Sequence, residues 1–448
     1  MLAVLRDRTY RRLFTAQVVA LSGTGLATVA LGLLAYDLAG ADAGQVLGTA
    51  LAIKMVAYVA IAPAVGAIAG RLPRRTLMVG ADLTRAGVAV MLPFVDQVWQ
   101  VYVLIFLLQS ASAVFTPTFQ AVVPDVLPAE RDYTRALSLS RLAYDLESLF
   151  SPALAAALLS LVTYDWLFLG TVAGFLASAA LVVAAVLPKP AAAGPDSGSA
   201  RARATAGSRL FFRVPRLRAL LALDLAVAAA GATVTVNSVV YVRDLLGRGA
   251  TDLSLALGAY GGGSMAAALV LPRLLDRVRD RTVMLCGALL LTPVFAGLGV
   301  LTSAPSGDWR WPALLLAWAA FGAACSAVLT PAGRLVRSAV PAGGRTSAFA
   351  AQFSLSHACW LLTYPLAGWL GAAAGLRSAV VVLGLVALAA GLLAVRLWPS
   401  RERDRAAPVE HEHVDLDEGH PHLADAVRVP GGWRHSHRHP ADGLHAHC

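Results

Sequence analysis

The chain is 448 residues long, 57% apolar and 14% charged, with mean hydropathy +0.65 and a formal net charge of +10. Soluble domains carry nearer 25% charged residues, so these values exclude one. A bilayer crossing needs about 20 apolar residues, so the length accommodates roughly twelve.

The first 17 residues carry charge where a signal peptide would need its apolar core, so the first span is expected to serve as the insertion signal. Spans are predicted at about 12–36, 44–69, 76–95, 98–121, 136–161 and 166–187. A second set is predicted at about 217–241, 252–272, 282–302, 311–330, 347–371 and 376–398. Each is long enough to cross with tilt, and the joints carry charge, Pro or Gly. The expected fold is therefore an all-α membrane protein of twelve transmembrane helices in two six-helix pseudo-repeats.

The N-terminal half takes residues 1–188 and the C-terminal half 216–398. The segment 189–215 between them is rich in Gly, Pro, Ala, Ser and Arg and reads as a flexible cytoplasmic linker. The tail, 399–448, holds nine of the ten histidines and no long apolar run, and is predicted to be disordered until something binds it. The four cysteines, Cys286, Cys325, Cys359 and Cys448, form no disulfide framework and no zinc-ribbon spacing.

Orientation follows from the arginines, which stay in the cytoplasm when they sit in short loops. With the N-terminus inside, Arg6, Arg8, Arg11, Arg12, Arg71, Arg74, Arg75, Arg131 and Arg135 are cytoplasmic, as are Arg273, Arg277, Arg279, Arg281, Arg334, Arg337 and Arg345. The other face has only Arg243, Arg248, Arg310 and Arg377. Both termini are thus expected in the cytoplasm of a bacterial cytoplasmic (inner) membrane.

An internal repeat supports two halves. RRTLMVGADL (74–83) matches DRTVMLCGAL (280–289), and TPTFQAVVPDVLPAERDYTRALSLSR (116–141) aligns with TPAGRLVRSAVPAGGRTSAFAAQFSLSH (330–357). Paired six-span halves are the architecture of transporters that rock around a site at the midplane.

The loop GAIAGRLPRR (66–75) resembles the signature between spans 2 and 3 of the major facilitator superfamily, with Gly66, Arg71, Arg74 and Arg75 in place. It departs at Gly70, where the family has Asp, and at Pro73, where it has Gly. The resemblance implies a loop that takes part in conformational switching. Asp82 and Arg85, three apart on span 3, are expected to form a structural pair or to contact Arg74 and Arg75. PTFQAVVPDVLP (117–128) is similar to the branch with bacterial siderophore and multidrug exporters, and the His-rich tail resembles that of nickel- and cobalt-resistance exporters.

The candidate tail ligands are His411, His413, His420, His422, His435, His437, His439, His445 and His447. His-x-His recurs five times, and in an extended chain residues i and i+2 share a side. Neutral imidazole is a good ligand for nickel, cobalt, zinc and copper. From Arg401 on, nine acids face six arginines, which favours cations. The alternative is a solvated low-complexity tail without a ligand.

Ionisable groups inside spans are costly and are functional candidates. Arg141 and Asp145 share a helix face and could neutralise each other, whereas Glu147 points elsewhere. His357 and Cys359 on span 11 do not face each other, and His357 serves either an interhelical hydrogen bond or a site. Asp224, Asn237 and Lys54 are further candidates, and Lys54 argues for an anionic substrate or a carboxylate partner.

No phosphate-binding loop and no HExxH or GxSxG motif occurs, so an enzyme is not expected and the energy should come from an ion gradient. The leading expectation is proton-coupled export of divalent metal, nickel first and cobalt next. The alternative is export of a drug-like compound or siderophore, and a membrane-bound metal sensor is a third class. Metal ion, proton and lipid bilayer are the expected partners, with no cofactor required, no nucleic acid, and a monomeric chain.

Overall fold

The computed structural model describes residues 2–39, 43–68, 72–161, 163–188, 205–340, 344–398, 409–413, 427–429 and 432–437. Residues 1–398 form one unit and 399–448 a second.

Unit 1 is helical throughout. Its first six long helices are α1 (Arg8–Ala39), α2 (Ala43–Ile68), α3 (Arg74–Met91), α4 (Val98–Val126), α5 (Glu130–Leu159) and α6 (Tyr164–Ala184). After a short α7 (Ala206–Arg213) come α8 (Pro215–Val239), α9 (Ala250–Leu275), α10 (Asp280–Ser303), α11 (Arg310–Ala339) and α12 (Arg345–Leu397). Lipid offers no hydrogen-bond partner to a bare backbone, so long apolar runs fold as helices that satisfy their own amides. Among the described residues ten helices are long and apolar enough to cross a membrane. The 30-residue α5 stands outside that set and carries seven charged side chains between Glu130 and Glu147.

Two predicted spans, 347–371 and 376–398, run together as α12. Its 53 residues amount to about 80 Å at 1.5 Å per residue, more than twice the hydrocarbon thickness. Gly375 interrupts them with φ 81° and ψ 162°, a backbone that a side chain disfavours. α4 and α11 outrun the predicted ends, 121 and 330, to Val126 and Ala339. These extra turns carry Asp125, Arg334 and Arg337 into ion pairs and hydrogen bonds with other helices, which an apolarity criterion does not register.

Two expectations need correction. The linker is not wholly flexible, because 206–213 forms α7, while 189–204 lies outside the described residues. Phe211 of α7 is fully buried, and Gly207 rests on the Ser347 carbonyl of α12 with no space for a Cβ. The tail is not wholly disordered either. Its described residues form a three-stranded antiparallel sheet, β1 (Val409–His413), β2 (Val427–Val429) and β3 (Gly432–His437), in the order β1-β3-β2. Alternating VEHEH and GWRHSH have the period of a strand, and pairing satisfies the backbone that low complexity would leave to water.

Between the long helices, α5 packs on α9 and α11, and α12 packs on α2, α4 and α8. The α9–α11 contact is backbone on backbone: a Cβ at Gly322 would collide with the Tyr260 carbonyl, and one at Gly263 with the Ala319 carbonyl. Small residues permit such approach in membranes. Gly322→Val should therefore destabilise the chain by about 3 kcal/mol, at the upper end of overpacking costs. At the neighbouring Gly262 a Cβ would meet nothing within 4 Å, so Gly262→Ala should be silent. Thermal unfolding in detergent checks the contrast, and equal melting temperatures for the two variants would refute it.

Candidate functional site

A cavity of about 480 Å³ lies between the first six helices and the later ones, lined from α2, α4, α5, α8, α11 and α12. Asp224 is nine residues into α8, Arg141 eleven into α5, His357 twelve into α12, and Lys54 fourteen before the end of α2. All four are thereby about 14–21 Å from the arginine-rich helix ends, near the middle of a roughly 30 Å hydrocarbon layer.

The walls are mainly apolar and aromatic, with Met55, Tyr58, Tyr144, Phe349, Phe353, Trp360 and Tyr364 among them. Lys54 on α2 lies 5.7 Å from the Tyr58 ring centroid and within electrostatic reach of Glu147 on α5. Tyr58 donates its hydroxyl to Gln109 Oε1 at 2.9 Å and stacks edge-on against His357 at 4.7 Å. His357 Nδ1 lies 2.7 Å from the Phe353 carbonyl. A carbonyl only accepts, so Nδ1 carries the hydrogen, and in the neutral ring Nε2 remains an acceptor. Between α12 and α8, Gln352 Nε2 donates to Asp224 Oδ2 at 2.9 Å.

Of the sequence candidates, Lys54, Asp224 and His357 line this one cavity. Asp145 is buried and paired with Arg141 at 3.0 Å, and Arg141 also donates to Ser264 of α9 at 2.9 Å. Cys359 and Asn237 are buried outside the lining, and Asn237 sits thirteen residues beyond Asp224 on α8. Sequence reasoning missed Gln352 and Trp360. Trp360 stands three residues beyond His357 on α12, so a helical projection through His357 could have found it, whereas Gln352, five residues before, falls about 140° around the helix and gave no such signal.

At the arginine-rich end the two sets of helices are tied by charge. Asp125 of α4 accepts from Arg74 of α3 at 2.5 Å and from Arg345 of α12 at 2.5 Å. Arg334 of α11 pairs with Glu130 of α5 and donates to Thr134 at 2.8 Å, and Arg337 reaches the Pro128 carbonyl at 2.5 Å. Arg131 meets Asp276 at 3.5 Å. These contacts join the two sets of helices at that end.

The loop signature is divided in space. Arg74 joins this lattice, Arg75 donates to the Ala185 carbonyl at 2.6 Å, Gly66 lies in α2, and Arg71 lies outside the described residues. Asp82 and Arg85 pair with each other and not with Arg74 or Arg75. Ser178 donates to the second Asp82 oxygen at 2.7 Å, and the Arg85 guanidinium sits 4.5 Å from both Phe115 and Phe175.

Among the described residues no group of three or more His, Cys, Asp or Glu side chains could hold a metal ion. In the tail, His411 pairs with His435, His413 with Trp433, and Val409 with His437. His420, His422, His439, His445 and His447 lie outside the described residues.

The family model of the Major Facilitator Superfamily matches residues 13–309 and 225–441. Macrolide efflux protein A of Streptococcus pyogenes is 29% identical over 150 residues, 32% of this chain and 37% of that protein. The chain thus matches little more than a third of that relative's length. The uncharacterized MFS-type transporter YvqJ of Bacillus subtilis is 24% identical over 400 residues, 86% of this chain and 91% of that protein. Among solved structures, the human organic anion transporter MFSD10 (TETRAN) superposes with TM-score 0.72 at 15% identity, over 86% of this chain and 99% of that one. A bacterial homologue of the iron transporter ferroportin, in an outward-facing state, gives TM-score 0.71 at 14% identity, over 87% of this chain and 99% of that one. At these identities the likeness is one of fold.

Proposed function

The chain belongs to the Major Facilitator Superfamily and is a multi-pass membrane transporter, not an enzyme, and from that premise we propose that it exports an amphiphilic organic compound in exchange for protons. The observation that carries this reading is the central cavity, large and walled by aromatic and aliphatic side chains among which polar groups such as Lys54, Asp224, Gln352 and His357 are set, as organic-ligand sites are. The macrolide efflux relatives point the same way. A transition metal needs several convergent N, O or S ligands, and the described cavity residues supply no such group.

In this reading α5 and the two parts of α12 on either side of Gly375 are spans, which makes twelve crossings in two six-span sets. Both termini are cytoplasmic, the chain acts as a monomer in a cytoplasmic membrane, and Lys54, Glu147 and His357 are the groups through which substrate and proton compete. The two sets rock about the cavity, and the ionic lattice at the arginine-rich end is made and broken in each cycle.

A second reading, with nickel first and cobalt next as cargo, is favoured by one observation, the pairing of two His-x-His segments as neighbouring strands, with His411 opposite His435. One growth assay separates the two. Expression in an efflux-deficient bacterium should raise tolerance to organic compounds, macrolides among them, and leave nickel and cobalt tolerance unchanged. Protection against the metals alone, lost on deleting 406–448, would replace the organic reading with the metal one.

A further inference from the structure

Asp224 is a carboxylate at mid-depth in the membrane, only 2% exposed, and no arginine, lysine or histidine among the described residues pairs with it. Gln352 satisfies one of its oxygens, while Oδ1 is buried without a partner, and so is Gln352 Oε1 beside it. Two orphaned acceptors at the wall of a cavity make an incomplete hydrogen-bond set, and groups of this kind persist in a membrane where something completes them.

The same wall is aromatic. Trp360 and Tyr364, one turn apart on α12, have ring centroids 5.2 Å apart. Trp360 reaches across to α8 and lies against Gly231, two turns beyond Asp224, where its ring fills the space of the missing Cβ. Carboxylate, amide oxygen and aromatic faces together are the chemistry that recognises an organic ammonium. Lys54 lines the same cavity from α2, and its positive charge disfavours a second ammonium beside the first.

We propose that Asp224, Gln352 and the Trp360–Tyr364 wall form a subsite for a single protonated amine on the exported compound. The ammonium donates to Asp224 Oδ1 and Gln352 Oε1, and its alkyl substituents lie on the two rings. This names the substrate class within the organic-export reading and rests on it.

The test uses the full-length chain in lipid nanodiscs, titrated by fluorescence with dansylcadaverine, which carries one primary ammonium, and with its N-acetyl derivative, which carries none. The expected result is tighter binding of the amine by about tenfold or more. Asp224→Asn should remove that preference, read as the ratio of the two affinities, and Gln352→Glu should widen it. Equal affinities in the unmodified chain, or a preference that survives Asp224→Asn, would overturn the subsite. Should Asp224→Asn fail to insert, an unchanged preference in Gln352→Glu overturns it equally. Export of both compounds from vesicles at one rate sinks the subsite and leaves the exporter standing, whereas neither binding nor export of either sinks both.

Discussion

Asp125→Asn is expected to reduce transport at least about tenfold while the chain still inserts and folds. Asp125 accepts from Arg74 and Arg345 at once, so its charge ties α3 and α4 to α12. The asparagine keeps the shape but leaves two guanidiniums facing each other without the anion between them. Losing one partner of a buried ion pair costs about 3–5 kcal/mol, and partial exposure here lowers that to about 2–4. At about 1.4 kcal/mol per tenfold, the closed arrangement at the arginine-rich end loses a factor of about 30 or more to the open one. Two measurements check this, initial export rate in vesicles and maleimide labelling of Leu137→Cys in a cysteine-free background. Labelling from the arginine-rich face should rise as export falls, and Asp125→Glu should restore much of both. Unchanged labelling would mean that the lattice does not hold the end closed.

Arg85→Met is expected to be more damaging to the folded chain than any single change in the cavity, and the double variant Asp82→Leu/Arg85→Met much less so. Asp82 is fully buried, and without Arg85 it keeps only the Ser178 hydroxyl. An uncompensated carboxylate of this kind costs about 3–5 kcal/mol, whereas replacing both charges with apolar groups of similar volume is often neutral. Methionine also fits the slot between Phe115 and Phe175, where the guanidinium now stacks. The check is thermal unfolding in detergent followed by an export assay. Recovery of stability and export in the double variant marks the pair as structural, and recovery of stability alone marks it as part of the transport cycle.

The two aspartates differ in how far the sequence announces them. Asp82 and Arg85 lie three apart on one helix, so their pairing follows from helical spacing. Asp125 lies 220 positions from Arg345, and the signature loop, with Gly70 in place of the family's Asp, supplies Arg74 but not the acid that it pairs with. The same limit applies at the cavity. Lys54, Asp224 and His357 are conspicuous as ionisable groups in apolar runs, but that they share one cavity, and that Asn237 and Cys359 lie outside it, depends on how six helices are rotated about their axes.

By itself the sequence determined where the long membrane helices lie, because in lipid a backbone must satisfy its own amides, and a long apolar run decides that locally. It also determined the grouping of the arginines, the separate composition of the tail, and the local pair Asp82–Arg85. Only the tertiary structure decided that Arg141 also reaches Ser264 of α9, that Asp125 bridges the two sets of helices, and that Asp224 keeps an oxygen unpaired. It also decided that 206–213 folds on α12 and that two His-x-His segments pair as neighbouring strands. The reason is physical: a span is a sum over neighbours in the chain, whereas a partner is chosen by the close approach and rotation of helices far apart in it, set by contacts such as Gly263 on Ala319 and Trp360 on Gly231.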